Sequence, residues 1–336
     1  IITCPCALGL AIPAVQVVAS GALFRNRILL NSGDALERFA AVDTVAFDKT
    51  GTLTQPEASL MNGAMLDPGL VALAGRLALT SRHPLAAALA KATGAREPLS
   101  GASEEPGIGV SGEIDGKPAF LGKPEAVDMA FEAGRVSQAY PSASLIAVKW
   151  GEERAIVAIG QQLRPDAREA VAALRARGYR LMILSGDHEA AVKEAAEALG
   201  ITDYAAGLKP QDKIMRLETL RNEGHLALMV GDGLNDAPAL AAAHVSMSPI
   251  EATHVAQAEA DAVFIGDRLE PVATALALGR KAHGIMLQNL WLAVAYNFIA
   301  VPLAIAGWVT PLIAALAMSG SSILVTLNAL RAGKTS

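Results

Sequence analysis

A carboxylate followed at once by small, turn-forming residues is a group that can accept a phosphoryl group, and Asp48-Lys49-Thr50-Gly51-Thr52-Leu53-Thr54 has that form. The apolar residues 45–47 before it read as a β-strand, so Asp48 stands at a strand's carboxyl end, where Thr and Gly can turn backbone N–H groups toward an anion. An aspartate nucleophile splits phosphoryl transfer into two easier steps through an acyl phosphate. An isolated Asp-Lys pair would be an ordinary salt-bridged turn; seven residues in this order are not. A second loop, Gly231-Asp232-Gly233-Leu234-Asn235-Asp236-Ala237-Pro238, follows the strand-like residues 227–230. Its two carboxylates, four apart, suit a hard cation such as Mg2+, which would offset the charge of a phosphate and of Asp48. The chain has no G-x-x-x-x-G-K-S/T run, so ATP is not held in a P-loop.

A different chemistry opens the chain. Cys4-Pro5-Cys6 lies in an apolar stretch, where proline removes a helical hydrogen bond, exposes a carbonyl and sets two sulfurs near each other. Thiolates select soft metals. Near the other end, Tyr296-Asn297 and Met318-Ser319-Gly320-Ser321-Ser322 put polar groups into apolar runs, where they either bind something or glue helices together. Two thiolates, a thioether and neutral oxygens suit Cu(I), with Ag(I) equally acceptable; a Zn or Cd site would recruit an intramembrane carboxylate, and residues 284–330 contain none.

The elements that must position these groups follow from hydropathy and periodicity. Residues 1–24 and 284–330 carry no charged side chain, and the chain is 52% hydrophobic, so part of it belongs in lipid. Turn chemistry at Gly307, Trp308, Thr310 and Pro311 splits the second stretch into a hairpin, 289–306 and 311–330, giving three membrane segments. Arg25 and Arg27, Arg280 and Lys281, and Arg331 and Lys334 flank them and put all three ends on the cytoplasmic side. Between them, short β-rich runs at 44–48, 181–187, 227–232, 245–248 and 262–265 alternate with helical stretches such as 166–177 and 189–199. That is the pattern of a parallel α/β sheet with its chemistry at the strand carboxyl ends. Residues 57–160 read as an α+β domain inserted after the first strand, with helices at 69–79 and 84–93 and strands near 117–121 and 145–149. The domain expectation is therefore a membrane helix over 1–24, a catalytic domain of 34–56 with 161–280, the insert at 57–160, and a membrane hairpin at 284–330. With 33 acidic against 28 basic side chains, no concentrated basic face exists for nucleic acid. The start at Ile1, inside an apolar run without the basic flank of a signal peptide, reads as the carboxy-terminal portion of a longer chain.

Residues 48–54 match the signature heptapeptide of the P-type ATPases without a change, and the chain resembles that family over essentially its whole length. The resemblance implies a haloacid-dehalogenase-type fold with a nucleotide-binding insert, and a cation pump driven by ATP hydrolysis. It makes Asp48 the acceptor of the γ-phosphate and gives the Thr50 carbonyl a share in holding Mg2+ with Asp48, Asp232 and Asp236. It counts Lys49, Gly186 and Asn235 among the catalytic residues, assigns Ser185 to phosphate oxygens, and uses Lys213, in Leu208-Lys209-Pro210-Gln211-Asp212-Lys213, to neutralise phosphoryl charge. Ser81-Arg82-His83-Pro84 and Gly107-Ile108-Gly109 resemble the nucleotide-pocket motifs of the heavy-metal subgroup: His83 would meet the adenine, and the glycines would allow close backbone approach. The subgroup usually has an acidic residue where Ala78 stands and an Asp where Gln161 stands.

Cys4 and Cys6 with Tyr296, Asn297, Met318, Ser321 and Ser322 resemble the ion site of the copper-type pumps. Ser81-Arg82-His83-Pro84 and Val15-Gln16-Val17-Val18-Ala19-Ser20 resemble those serving cytochrome oxidase assembly in bacteria. The resemblance implies a multi-pass protein of the bacterial inner membrane with cytoplasmic catalytic domains, Mg2+ and ATP as cofactor and substrate, and a copper chaperone or acceptor as partner. The family's actuator domain, with its Thr-Gly-Glu loop, lies outside this sequence. Three other readings compete: a divalent Zn or Cd pump, a membrane-tethered phosphatase, and a metal-binding regulator with degenerate catalysis. A phosphatase needs a general acid two residues after the nucleophile, and Thr50 cannot serve.

Overall fold

The computed structural model describes residues 6–232, 236–252 and 254–334. It divides into two compact units, one of Ile1–Asp48, Pro165–Gly186 and Leu208–Ser336, the other of Lys49–Arg164 and Asp187–Gly207.

The chain begins with α1 (Cys6–Ala11) and α2 (Pro13–Arg25), then β1 (Ile28–Leu30), α3 (Ala35–Ala41) and β2 (Thr44–Phe47). A single helix was expected over the first 24 residues; Pro13, at the first turn of α2, has no N–H to give the preceding turn, and the helix breaks at Ile12. The second unit contributes β3 (Ser59–Leu60), α4 (Pro68–Ala78), α5 (Pro84–Thr93), β4 (Ser103–Glu105), β5 (Gly109–Ile114), β6 (Lys117–Gly122), α6 (Ala130–Ala139), β7 (Ser144–Trp150) and β8 (Glu153–Gly160). Then come α7 (Ala167–Ala176) and β9 (Arg180–Leu184) in the first unit, and α8 (Glu189–Leu199) and β10 (Asp203–Ala205) in the second. The remainder is α9 (Pro210–Asn222), β11 (Ala227–Val230), α10 (Ala237–Ala242), β12 (Val245–Pro249), α11 (His254–Glu259), β13 (Ala262–Phe264), α12 (Glu270–Ile305) and α13 (Pro311–Ala329).

Six strands of the first unit stand in the order β1-β13-β12-β11-β2-β9. All neighbours are parallel except β1, which lies antiparallel on β13 with Ile28 opposite Phe264. The insert therefore follows the second strand of this sheet, not the first; a three-residue apolar edge strand after a membrane helix carries no separate signal in the sequence. The strands β2, β11 and β13 are buried at every position, as expected of a sheet covered on both faces.

The second unit is an antiparallel sheet ordered β3-β8-β7-β6-β5-β4. Alternation along its strands separates two cores. Val148, Val157 and Ile159 pack with Leu73, Leu77 and Leu89 of α4 and α5, while Ala147 and Ile156 pack with Met129 and Ala133 beside α6. Its boundary falls at 48/49 and 164/165 rather than at 57 and 160, because the two connecting segments pair: Gln55 N donates to Gln162 O, Arg164 N to Leu53 O, and Thr54 bridges Leu163.

Among the described residues, three helical segments are long and apolar enough to cross a membrane: Leu8–Arg25, which runs through α1 and α2 across the interruption at Ile12, Glu270–Ile305 and Pro311–Gly333. The second begins at Glu270, well before the expected position 289: no strong helix breaker interrupts residues 272–288, so the helix of the catalytic domain runs on without a join. The three flanking basic groups gather at one end, with Arg25 Nη2 donating to Gly333 O at 3.2 Å and Lys281 Nζ to Lys334 O at 2.5 Å.

Candidate functional site

Three adjacent parallel strands, β9, β2 and β11, end side by side, with Phe47 in register with Ile183 and Val230. The residues that follow are Ser185, Asp48 and Gly231-Asp232, so the crossover topology collects at one edge groups separated by up to 184 positions. Asp48 is 4% exposed, and its N–H donates to Val230 O at 2.8 Å. Ser185 is buried, its carbonyl accepting from Leu208 N, and Gly186 lies where an added Cβ would be 3.3 Å from Leu208 O.

Lys213 completes the cluster. It sits one turn into α9, a helix opened by Pro210 and by Asp212, whose carboxylate accepts from Lys209 N at 2.9 Å. Its ammonium is 2.6 Å from Asp48 Oδ1 and 2.5 Å from Asp236 Oδ1, with all three side chains buried. Gly231 eases this approach, since a Cβ there would press on Asp236 Cβ at 3.0 Å. Carboxylate oxygens of Asp48, Asp232 and Asp236 lie within 4.8 Å of one another. Three carboxylates crowd together here, two of them buried, and the oxygen-only donor set fits Mg2+. Burial first, and then the carboxylate of Asp236, push the Asp48 carboxyl up to about 7 against the pull of Lys213. Lys213 is held protonated: burial works against its charge, but Asp48 and Asp236 outweigh it and move its pKa upward.

In the second unit the segment after Asp48 is shaped by ion pairing. Lys49 Nζ is 2.5 Å from Asp187 Oδ2, and Thr50 Oγ1 donates to the same oxygen at 3.1 Å. Gly51 takes a left-handed φ of 68°, which a side chain would resist. Arg164, buried, donates to the carbonyls of Thr52 and Gly51 at 2.7 and 2.8 Å. Asp187 and Arg164 were not among the expected functional residues. Asp187 could have been suspected from its place after Ser185-Gly186; Arg164 has no local signal. Gln161 accepts from Thr54 Oγ1 at 3.2 Å, so it ties the connecting segments together.

His83, Gly107 and Gly109 line one cavity of about 330 Å3 in the second unit, with Glu104, Ile108 and Lys123 also on its wall. His83 caps α5, its Nδ1 accepting from Leu85 N at 3.3 Å, and Pro84 takes the first helical position without lining the cavity. Gly107 has φ 82°. Gly109 has a packing reason as well: an added Cβ would be 2.4 Å from Leu121 O and 2.7 Å from Gly122 Cα across the β5–β6 ladder. Ala78 is buried in the core under α4, a place where a carboxylate would be costly.

Of the expected ion ligands, Cys4 lies outside the described residues and Cys6 opens α1; Asn235, expected among the catalytic residues, also lies outside the described residues. Tyr296 and Asn297 on α12, and Met318, Ser321 and Ser322 on α13, lie on the partly buried stripes of their helices. Asn297 Nδ2 donates to Ala293 O at 2.9 Å, and both serine hydroxyls donate to Met318 O, at 2.8 and 3.2 Å.

A family model described as haloacid dehalogenase-like hydrolase matches residues 42–244. The "Nitrogen fixation protein FixI" of Bradyrhizobium diazoefficiens is 58% identical over 332 residues, which are 99% of this chain and 46% of that protein. The "Copper-exporting P-type ATPase" of Mycobacterium tuberculosis is 38% identical over 345 residues, 99% of this chain and 45% of the relative. The crystal structure of a zinc-transporting PIB-type ATPase in its E2.Pi state superposes with a TM-score of 0.85 at 31% identity, covering 99% of this chain and 57% of the other. The chain thus spans less than half the length of these two curated relatives.

Proposed function

The chain belongs to the haloacid dehalogenase-like hydrolases, among the heavy-metal P-type ATPases, and from that premise we propose that it is the phosphorylation, nucleotide-binding and ion-site portion of an ATP-driven Cu(I) pump. The observation that carries this reading is the buried cluster in which Lys213 bridges Asp48 and Asp236 beside Asp232.

In the proposed cycle an Asp48 carboxylate oxygen attacks the γ-phosphorus of ATP, forming an acyl phosphate as the bond to the ADP oxygen breaks. Lys213, already within 2.6 Å of Asp48, stabilises charge developing on the transferred group without having to move. Ser185 would donate its hydroxyl to a phosphoryl oxygen. Asp48, Asp232 and Asp236, with the Thr50 carbonyl, would hold Mg2+, which supplies charge neutralisation at the phosphoryl oxygens. Asp48 must be ionised to attack, and its raised pKa is a property of the cation-free cluster. His83 and the cavity beside it take the adenine.

The ion is bound as cargo between Cys4 and Cys6, with Tyr296, Asn297, Met318, Ser321 and Ser322 as further donors. Thiolate and thioether sulfur favour Cu(I), and Ag(I) satisfies the same preference. The charge-free span 284–330 supports a monovalent cargo over a divalent one. The protein is multi-pass, in a bacterial inner membrane, with both catalytic units in the cytoplasm. A copper chaperone or acceptor exchanges ions with it.

ATP-dependent uptake into inside-out vesicles carrying the full-length protein tests the reading. Cu(I) uptake that is lost in Asp48→Asn is expected. Uptake of Zn2+ in place of Cu(I) would move the cargo to the divalent class, and uptake indifferent to Asp48→Asn would remove the pump.

A further inference from the structure

Asn289 is buried completely within the apolar bundle, at 0% exposure. Its neighbours Ala11, Ala293 and Val325 form a small packed core, and the two alanines let three helices approach closely. At such a place an amide must find partners, and this one finds three. Its Nδ2 donates to Ala11 O at 3.2 Å and to Val325 O at 3.3 Å, while its Oδ1 accepts from Asn328 Nδ2 at 2.9 Å. Asn328 is held in turn by Arg331, whose Nη1 donates to its Oδ1 at 2.8 Å.

The choice of partners is informative. Ala11 is the last residue of α1, the short helix that Cys6 opens, and a helix leaves its final carbonyls without intrahelical donors. Asn289 supplies a donor there from α12, and its second donor reaches α13. One amide therefore fastens the broken segment to both helices of the hairpin.

The other end of α12 is fastened to the phosphorylation unit. The buried carboxylate of Asp166 accepts from Leu269 N and Glu270 N at 2.9–3.0 Å, where the helix starts. At Gly279 the helix crosses α3 so closely that an added Cβ would be 2.7 Å from Phe39 Cβ. From α3 the chain passes through Val42 and Asp43 into β2 and Asp48. From Gly279 to Asn289 is ten residues of unbroken helix, about 15 Å along its axis.

We propose that Asn289 is a positioning residue for the pump reaction: through it, α12 couples the state of Asp48 to the Cys4-Pro5-Cys6 segment. This rests on the pump reading, but not on the identity of the cargo. Coupling needs an element that both sites bias, and α12 is held at one end by Asp166 and Gly279. Toward its other end Gln288 and Asn289 both bond to the Asn328–Arg331 region, but it is Asn289 that also reaches Ala11 of α1. Removing that side chain separates the sites without touching either.

The test uses the full-length protein and the maleimide alkylation rate of Cys4 and Cys6, measured with and without Mg2+ and beryllium fluoride, an analogue of the aspartyl phosphate. In the wild type, loading Asp48 changes the rate at least fivefold. In Asn289→Leu the change falls below twofold, while beryllium fluoride still binds and the unloaded rate stays within twofold of wild type. Asn289→Asp, which keeps the size and the acceptor for Asn328 but, neutral in this buried place, can donate to at most one of the two carbonyls, behaves likewise and serves if the leucine variant fails to fold. Asn289→Gln, which retains the amide, recovers part of the response. A wild-type response preserved in both Leu and Asp variants overturns the inference, as does a wild type whose thiols ignore the state of Asp48. Loss of beryllium fluoride binding in both variants would mark a merely structural residue and also overturn it. Cu(I)-stimulated phosphorylation, measured in parallel, judges the cargo separately: its absence in the wild type sinks the copper assignment and leaves the labelling result to decide the coupling.

Discussion

Replacing the nucleophile with its neutral isostere should stabilise the catalytic unit. In Asp48→Asn the side chain keeps its shape and can still accept from Lys213, while one of three crowded carboxylates is removed. The Asp48 carboxyl is raised from 3.8 to about 7, chiefly by burial and then by Asp236, with the attraction of Lys213 already counted. A raised acid pKa means that the folded state binds the proton more tightly than the unfolded one. Stability therefore falls as pH rises from about 4, and the loss is complete above about 7. Three pKa units correspond to about 4 kcal/mol at pH 8. Allowing for imperfect replacement, Asp48→Asn should gain about 3 kcal/mol there, roughly 6–12 °C in melting temperature for a domain of 150–250 residues. Thermal unfolding of the chain in detergent, with chelator at pH 8 and pH 5, reads this out. The gain should be large at pH 8, less than half as large at pH 5, and greatly reduced at pH 8 by millimolar Mg2+, which offsets the same charge. A variant no more stable than wild type at pH 8, or a gap equal at both pH values, would refute the reasoning.

Other consequences can be checked with the same preparation. His244 has its pKa lowered, first by burial and then by Arg38, so it is neutral in the fold; its contribution to stability is present above about 6.5 and is lost as pH falls toward the lowered value. Denaturant midpoints should drop between pH 7.5 and pH 5 by more in the wild type than in His244→Gln. Gly279→Val, which puts a branched side chain against Phe39, should cost about 1–3 kcal/mol; Gly284→Ala, with nothing within 4 Å of the added Cβ, should gain up to about 1 kcal/mol. Melting curves of the two separate these signs. His83→Asn keeps an acceptor at the α5 cap and removes the ring, so the ATP KM should rise about tenfold, consistent with loss of one stacking contact, with little change in melting temperature.

The strands that carry the chemistry were legible because each combines a buried apolar run with a polar loop: β2 before Asp48, β9 before Ser185 and β11 before Asp232. Their convergence at one edge follows from the crossover rule for parallel strands. The cavity of the second unit was legible through Ser81-Arg82-His83-Pro84, and Gly109, which lines it, is also constrained by strand packing. What escaped reading acts across long separations. Asp166 caps a helix that starts 104 residues later, and Arg164 fastens a turn 112 and 113 residues earlier. Neither has a neighbour in sequence that announces it. Asn289 escaped for another reason: beside Gln288 it looks like the polar edge of a membrane span, and only the continuation of α12 from Glu270 places it inside the bundle. The break at Ile12 was present in the sequence as Pro13, but a charge-free run masked it.

The central claim is that Asp48 carries the phosphoryl group and that the thiol-ligated ion controls its arrival. Full-length protein incubated with ATP and Mg2+, with and without Cu(I), then quenched in acid, reduced with borohydride and digested, yields a peptide in which the phosphorylated residue is marked by conversion to homoserine. The account predicts that mark at position 48, increased by Cu(I), and absent when both Cys4 and Cys6 are alanine. A mark at another residue, or one at 48 of equal yield with or without the ion and the two thiols, would contradict it.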